Sequence, residues 1–230
     1  MNKDYTHVSI LLDRSGSMEL RKNDVLGGVR SLLNEQKALP GKLTVSMSMF
    51  DSEYTVLARM RPVQEEFDLS SYHPRGSTAL FDSLHRLMAE TGRDLAALPE
   101  NERPGKVLVI VFTDGEENSS QEITAVNLRE SVQHQKSQYN WEFLFIGADF
   151  DVWAQGAALG MRSVGVRGQN LGGAGMAYTS AYIGSVRAHD GLAVASLESA
   201  RSVEDAEAAV ASWKAKISVT TGGSTDGEST

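Results

Sequence analysis

Five oxygen-bearing side chains, Asp13, Ser15, Ser17, Thr78 and Asp114, have the types and spacing to hold a hard metal ion. The apolar run Val8–Leu12 stops at Asp13, and the run Val107–Phe112 stops at Thr113-Asp114. Ser15 and Ser17 follow the first acid at alternate positions, and Thr78 follows Gly76 where a helical pattern begins. None of the five supplies sulfur or imidazole. Such a set suits Mg²⁺, with Mn²⁺ or Ca²⁺ as competitors. Neutral hydroxyls leave much of the ion's charge uncompensated, and Mg²⁺ keeps exchangeable waters when protein ligands are few. An external carboxylate could then take the open position. Read singly, each residue has a plainer role: a lone Asp or Thr caps a helix, and Ser-Gly-Ser makes a turn. The joint placement is what points to a metal.

Those residues must be positioned by the elements around them. Val8–Leu12 and Val107–Phe112 read as buried strands, and Trp141–Ile146 as a third. Leu43, Val45, Met47 and Met49 alternate with polar residues as a half-buried strand, and Tyr54–Met60 returns after a turn as an antiparallel edge. Val25, Val29, Leu32 and Leu33 mark one helix, ended by Pro40-Gly41. Leu80, Leu84, Leu87 and Met88 mark a second, beginning near Ser77-Thr78. Ser119-x-x-Glu122 has the form of a capping box and predicts a third through about Gln133. A short helix, Val152–Leu159, is closed by Gly160. Strand and helix alternate to about residue 166. The expected fold is α/β: a doubly wound, mostly parallel sheet with one antiparallel edge strand and helices on both faces.

Beyond Gly165 the texture changes. A Gly-rich segment and a packing helix, Met176–Arg187, complete an expected domain over 5–190, whose motif-bearing core is 5–165 and whose last part is 166–190. Residues 191–216 read as an extension with a short helix starting near Ser202. Residues 217–230, almost all Ser, Thr, Gly and acid, read as a disordered tail.

The segments Asp13-Arg14-Ser15-Gly16-Ser17-Met18, Gly76-Ser77-Thr78-Ala79-Leu80 and Phe112-Thr113-Asp114-Gly115-Glu116-Glu117-Asn118 resemble the von Willebrand factor type A (VWA) domain, a Rossmann-like fold. They match its metal-ion-dependent adhesion site, DxSxS…T…D, without a departure at Asp13, Ser15, Ser17, Thr78 or Asp114. The resemblance implies that the serines touch the metal directly, and that the threonine and second aspartate exchange between direct and water-mediated contact. It implies a Mg²⁺-dependent protein-binding module, not an enzyme, that coordinates an Asp or Glu side chain of a partner. The compact, cysteine-free form resembles intracellular bacterial and phage members, some of which work beside ring ATPases or in multi-protein systems.

Two other functions use the same residues. Asp13 could be the nucleophile of a Mg²⁺-dependent phosphohydrolase, but such sites offer a general acid two residues on, where Ser15 stands here. A structural subunit with a vestigial site would be expected to lack a ligand. Nucleotide binding needs G-x-G-x-x-G or a P-loop lysine, and Asp13–Met18 has neither. Around the site, Glu116, Glu117 and Asp149 are expected on the rim, Asp82 beside Thr78, and His73 and Arg75 in the preceding loop. His7, His85, His134 and His189 are read as structural, and Trp141 and Trp153 as core.

Composition sets the outer limits. The chain has 230 residues, 41% hydrophobic and 23% charged, enough for one α/β domain with a core. Lys+Arg is 22 against Asp+Glu 30, a net charge of −8, which argues against nucleic acid and against a basic membrane surface. With Cys at 0, disulfides, cysteine-bound zinc and thiol nucleophiles are excluded. The polar stretch Met1–His7 and the absence of any apolar run near ~18 residues lead to the expectation of a soluble, cytoplasmic protein.

Overall fold

The computed structural model describes residues 1–148, 150–165, 171–200 and 203–222. Six strands form one sheet: β1 (Asn2–Asp13), β2 (Lys42–Phe50), β3 (Tyr54–Pro62), β4 (Pro104–Thr113), β5 (Glu142–Gly147) and β6 (Arg162–Gly165). Their order is β3-β2-β1-β4-β5-β6, all parallel neighbours except the antiparallel β2–β3 hairpin. The expected fold class is the one observed.

The sheet is buried on both faces because its strands are apolar on both. Val8, Ile10 and Leu12 of β1, Leu108, Ile110 and Phe112 of β4, and Leu144 and Ile146 of β5 join one core. Helix α1 (Lys22–Lys37) covers it with Val25, Val29, Leu32 and Leu33. The alternate residues, Leu11, Val109, Val111, Phe143 and Phe145, join the other. There α2 (Leu80–Ala96) and α3 (Ala125–Tyr139) supply Leu84, Leu87, Met88, Leu128 and Val132. Helix α4 (Phe150–Ala158) is followed by Gly160 at φ +77°, the expected left-handed stop.

Three elements differ from expectation. β1 begins at Asn2, well before Val8, because Tyr5, Thr6 and His7 are buried although polar. The Ser119–Glu122 capping box does not open α3. Glu117 accepts from Ser119 N and Ser120 N, and Asp82 accepts from the N–H groups of Gln121, Glu122 and Ile123. Thr124 caps α3 instead, accepting from Asn127 N at 3.3 Å. The short strand β6 carries one apolar residue of strand type, Val164, too weak a signal to read.

The C-terminal part departs furthest. Helices α5 (Met176–Arg187), α6 (Gly191–Ser199) and α7 (Val203–Gly222) pack on the same core as α1, contributing Tyr182, Ile183, Leu197, Ala206, Ala209 and Trp213. Residues 191–216 are therefore continuous with the domain rather than an extension of it. α7 also runs six residues into the segment expected to be disordered from 217. Ile217 packs partly buried against the core, and helix propagation carries the chain on to Gly222. Residues 223–230 lie outside the described residues. Among the described residues, no helix is long and apolar enough to cross a membrane.

Candidate metal centre

β1 and β4 are neighbours at the middle of the sheet, and the chain leaves them toward opposite edges. In open α/β sheets this reversal opens a crevice beyond the carboxyl ends of the strands. Asp13 is the last residue of β1, and Asp114 follows the last residue of β4. Both acids therefore sit at the crevice.

Asp13 is fully buried. Its Oδ1 accepts from Ser15 N at 2.6 Å and its Oδ2 from Thr113 Oγ1 at 2.5 Å. Tyr72 donates its hydroxyl to the Asp13 carbonyl at 2.6 Å, tying the strand end to the 63–79 loop. Burial pushes the Asp13 carboxyl up to about 6, against the lowering effect of the Thr113 and Ser15 bonds, and the Asp114 charge pushes the same way. A carboxylate held in such a place is the partner a cation would relieve.

The hydroxyls gather around it. Ser15 Oγ and Ser17 Oγ lie 3.0 Å apart. Two oxygens at adjacent corners of a Mg²⁺ octahedron, with bonds of about 2.1 Å, are separated by about 3.0 Å. Ser17 Oγ also donates to Asp114 Oδ1 at 2.6 Å. Thr78 arrives on a loop stitched to both strand ends. Gly76, at φ +68°, accepts from Gly16 N at 3.2 Å, and Arg75 N donates to Arg14 O at 2.7 Å. On the β4 side, Thr78 N donates to Asn118 Oδ1 at 2.9 Å, and Asn118 N returns to Thr78 O at 3.1 Å.

Gly115 shows how closely these groups converge. A Cβ placed there would stand 3.2 Å from Thr78 Oγ1, 3.6 Å from Ser17 Oγ and 3.8 Å from Asp13 Oδ2. Three predicted donors thus border the same small space, kept open by the missing side chain. Asp114 and Ser15 are joined to it through Ser17. The donor set and the serine spacing fit a hard, octahedral cation. Among the described residues, no three His, Cys, Asp or Glu side chains are placed to hold a metal, so a cation here depends on hydroxyls.

The flanking candidates have other partners. Asp82 holds the 121–123 backbone and Glu117 holds that of 119–120 and Phe81 N, so both shape loops. Glu116 is exposed on the rim, and Asp149 lies outside the described residues. His73 pairs with Lys22 Nζ at 2.9 Å. Arg75 pairs with Asp51 at 2.9 Å and Glu53 at 2.6 Å. His7 is buried and bonded through both nitrogens, and Trp141 is core; the side chain of Trp153 lies outside the described residues.

Sequence reasoning missed several contributors. Thr113, Tyr72, Asn118 and Gly115 shape the crevice without being donors of the motif. Arg21 is the largest omission. It ends a 3-10 turn, Gly16–Arg21, that leads directly into α1, and its Nη1 lies 2.6 Å from Asp114 Oδ2. Its partner lies 93 residues away in the chain, so no local spacing marks it.

No family model matches the sequence, and no curated protein matches it. Solved structures do. A von Willebrand factor type A protein from Catenulispora acidiphila superposes with a TM-score of 0.57 at 15% identity, over 80% of this chain and 44% of that one. Manganese-loaded TRAP protein from Plasmodium vivax gives 0.53 at 20% identity, over 73% of this chain and 69% of that one. The pilus adhesin SpaC from Lactobacillus rhamnosus GG, in an open conformation, gives 0.57 at 16% identity, over 78% of this chain and 30% of that one. This chain therefore spans less than half of the Catenulispora chain and less than a third of the adhesin. At these identities the likeness defines the fold, and the chain has the VWA fold.

Proposed function

We propose that the chain is a metal-dependent protein-binding module, not an enzyme, that takes an acidic side chain of a partner at the β1–β4 crevice. The observation that carries the reading is the convergence of Thr78 Oγ1, Ser17 Oγ and Asp13 Oδ2 around Gly115, with Ser15 Oγ 3.0 Å from Ser17 Oγ. Asp13, Ser15, Ser17, Thr78 and Asp114 would hold a divalent cation, Mg²⁺ first and Mn²⁺ or Ca²⁺ as competitors. Once bound, the ion would supply a Lewis-acidic position for a carboxylate oxygen. A neighbour of the same fold was solved with manganese, and another is an adhesin, which fits this reading.

The chain's own residues set the terms. Thr113 and Ser15 N orient the Asp13 carboxylate, and Asn118 fixes the Thr78 loop. Leu20, 79% exposed on the same turn as Ser17, gives the rim an apolar contact beside the polar centre. Such a pairing of a polar anchor with apolar surface suits protein recognition. A nucleophilic role for Asp13 is disfavoured, because Ser15 stands two residues on, where such a site needs a general acid. The reading includes a cytoplasmic setting, which the cysteine-free composition permits.

Affinity capture from source cells tests the proposal. A partner retained with Mg²⁺ or Mn²⁺, lost with EDTA and lost with Asp13→Asn is the expected result. Retention that ignores both the chelator and the substitution would sink it.

A further inference from the structure

Arg21 is a cation already seated at the crevice. Its Nη1 contacts Asp114 Oδ2 at 2.6 Å, with the Asp114 side chain 0% exposed and that of Arg21 16% exposed. Asp114 Oδ1 is taken by Ser17. Both oxygens of this acid are therefore engaged within the protein.

The contact is one-pronged. A guanidinium pairs best with a carboxylate through two parallel N–H bonds. Here only Nη1 reaches Asp114, because Ser17 holds the other oxygen. Arg21 Nε is buried and finds no acceptor among the described residues. A buried unmet N–H is costly, so the guanidinium holds Asp114 with part of its bonding capacity unused.

Charge bears on the contact as well. Without an ion, Asp13 and Asp114 place two carboxylates at the crevice, and Arg21 returns one positive charge. With a divalent ion, the carboxylates are already balanced. The guanidinium then becomes a like charge beside the metal in a poorly solvated place, where repulsion is strong.

We infer that Arg21 competes with the divalent ion for Asp114, so that metal loading requires the guanidinium to leave and Arg21 sets the affinity of the site. The inference rests on the metal-binding reading above. Arg21 is a positioning residue in this scheme and not a ligand. The 3-10 turn that carries it holds Ser17 at one end and joins α1 at the other, so its release would alter the rim next to Leu20.

Calorimetric titration of Mn²⁺ and of Mg²⁺ into the full chain tests this, using wild type, Arg21→Gln, Arg21→Lys and Asp13→Asn at one ionic strength. Arg21→Gln should bind at least tenfold more tightly than wild type, and Arg21→Lys, which keeps the charge, should stay within about threefold of it. Asp13→Asn should not bind. Equal or weaker binding by Arg21→Gln overturns the inference and leaves the metal site standing. Failure of every protein to bind overturns the metal reading, and this inference with it. Wild type supplies a readout independent of any folding defect in the Gln variant. During Mg²⁺ titration its Arg21 Nε–H resonance, assigned by its loss in Arg21→Lys, should shift from a buried to a solvent-exchanging position. A resonance that stays put at saturating Mg²⁺ shows that the guanidinium does not leave, and ends the proposal.

Discussion

Strand β1 carries two buried polar clusters, one around His7 and one around Asp13, and they differ in how far each is completed. At His7 every group has a partner. Nδ1 meets Thr44 Oγ1 at 2.8 Å and Nε2 meets Ser9 Oγ at 3.0 Å, while Tyr5 OH and Thr91 Oγ1 close the two ends. No side chain in that chain of bonds carries a formal charge, and burial pushes the His7 imidazole down to about 4. At Asp13 the groups are charged, hydroxyls from two loops face one gap, and the balancing cation is a half-bonded arginine. A completed network holds a fold together, whereas an unfinished one leaves room for a ligand.

The comparison is most sharply tested at His7. His7→Ala should cost about 3 kcal/mol, because Thr44 and Ser9 lose a buried partner and a void remains. Urea denaturation would measure this. The metal-induced rise in melting temperature should be unchanged, and its loss would show that the two clusters are not separate. Acid probes the same cluster without mutation. The folded pKa of about 4 lies below the ordinary 6.5, so the unfolded chain binds the proton more readily. The stability contributed is present above pH 6.5 and is lost as pH falls toward 4, up to about 3 kcal/mol.

Asp13→Asn should act in the opposite way. Stability in EDTA should remain near that of wild type, because the amide keeps the shape of the carboxyl and removes a buried charge. Metal-linked stabilisation should disappear, which at a hundredfold excess of ion over Kd amounts to about 2.7 kcal/mol. A full metal-induced shift in Asp13→Asn would place the ion elsewhere. Thr78→Ala should be milder, weakening metal binding about tenfold, or about 1.4 kcal/mol. Helix α2 should not suffer, since Ala79 occupies its N-cap and Thr78 makes no cap bond. Partner binding should fall on chelation and on Thr78→Ala without the two losses adding, as expected for effects through one site. The smallest stability change belongs to Leu20→Ser, within about 0.5 kcal/mol for so exposed a position. A drop in partner affinity without a drop in metal affinity would place Leu20 on the docking face.

The same contrast explains what the sequence could and could not convey. The position of Asp13 and Asp114 was legible because each ends an apolar run, and in a doubly wound sheet such strand ends border the crevice. The doubly wound sheet was legible because β1, β4 and β5 are apolar on both faces. The start of β1 was hidden, since Tyr5 and His7 bury polar groups whose shared partner, Thr44, lies on β2. The capping box at Ser119 misled because Asp82, distant in sequence, had already taken the backbone donors that such a box would serve. The C-terminal helices were under-read because their anchoring contacts are made with small residues. Gly184 leaves room for Trp213, where a Cβ would stand only 2.1 Å from the indole ring. Arg21 was passed over for a further reason: nothing local distinguishes an arginine that neutralises a distant acid from one in solvent.

Gly115 carries a consequence for anyone wishing to silence this protein. The crevice is kept open there by a single hydrogen in place of a methyl group, with the nearest hydroxyl 3.2 Å from where that methyl would sit. Gly115→Ala is expected to crowd the space while leaving all five donors in the chain, and titration of Mn²⁺ into that variant would measure how far binding falls. The variant preserves every charge of the wild type. Effects of an empty site on a cell could then be separated from effects of altered surface electrostatics, a distinction that substituting either aspartate cannot make.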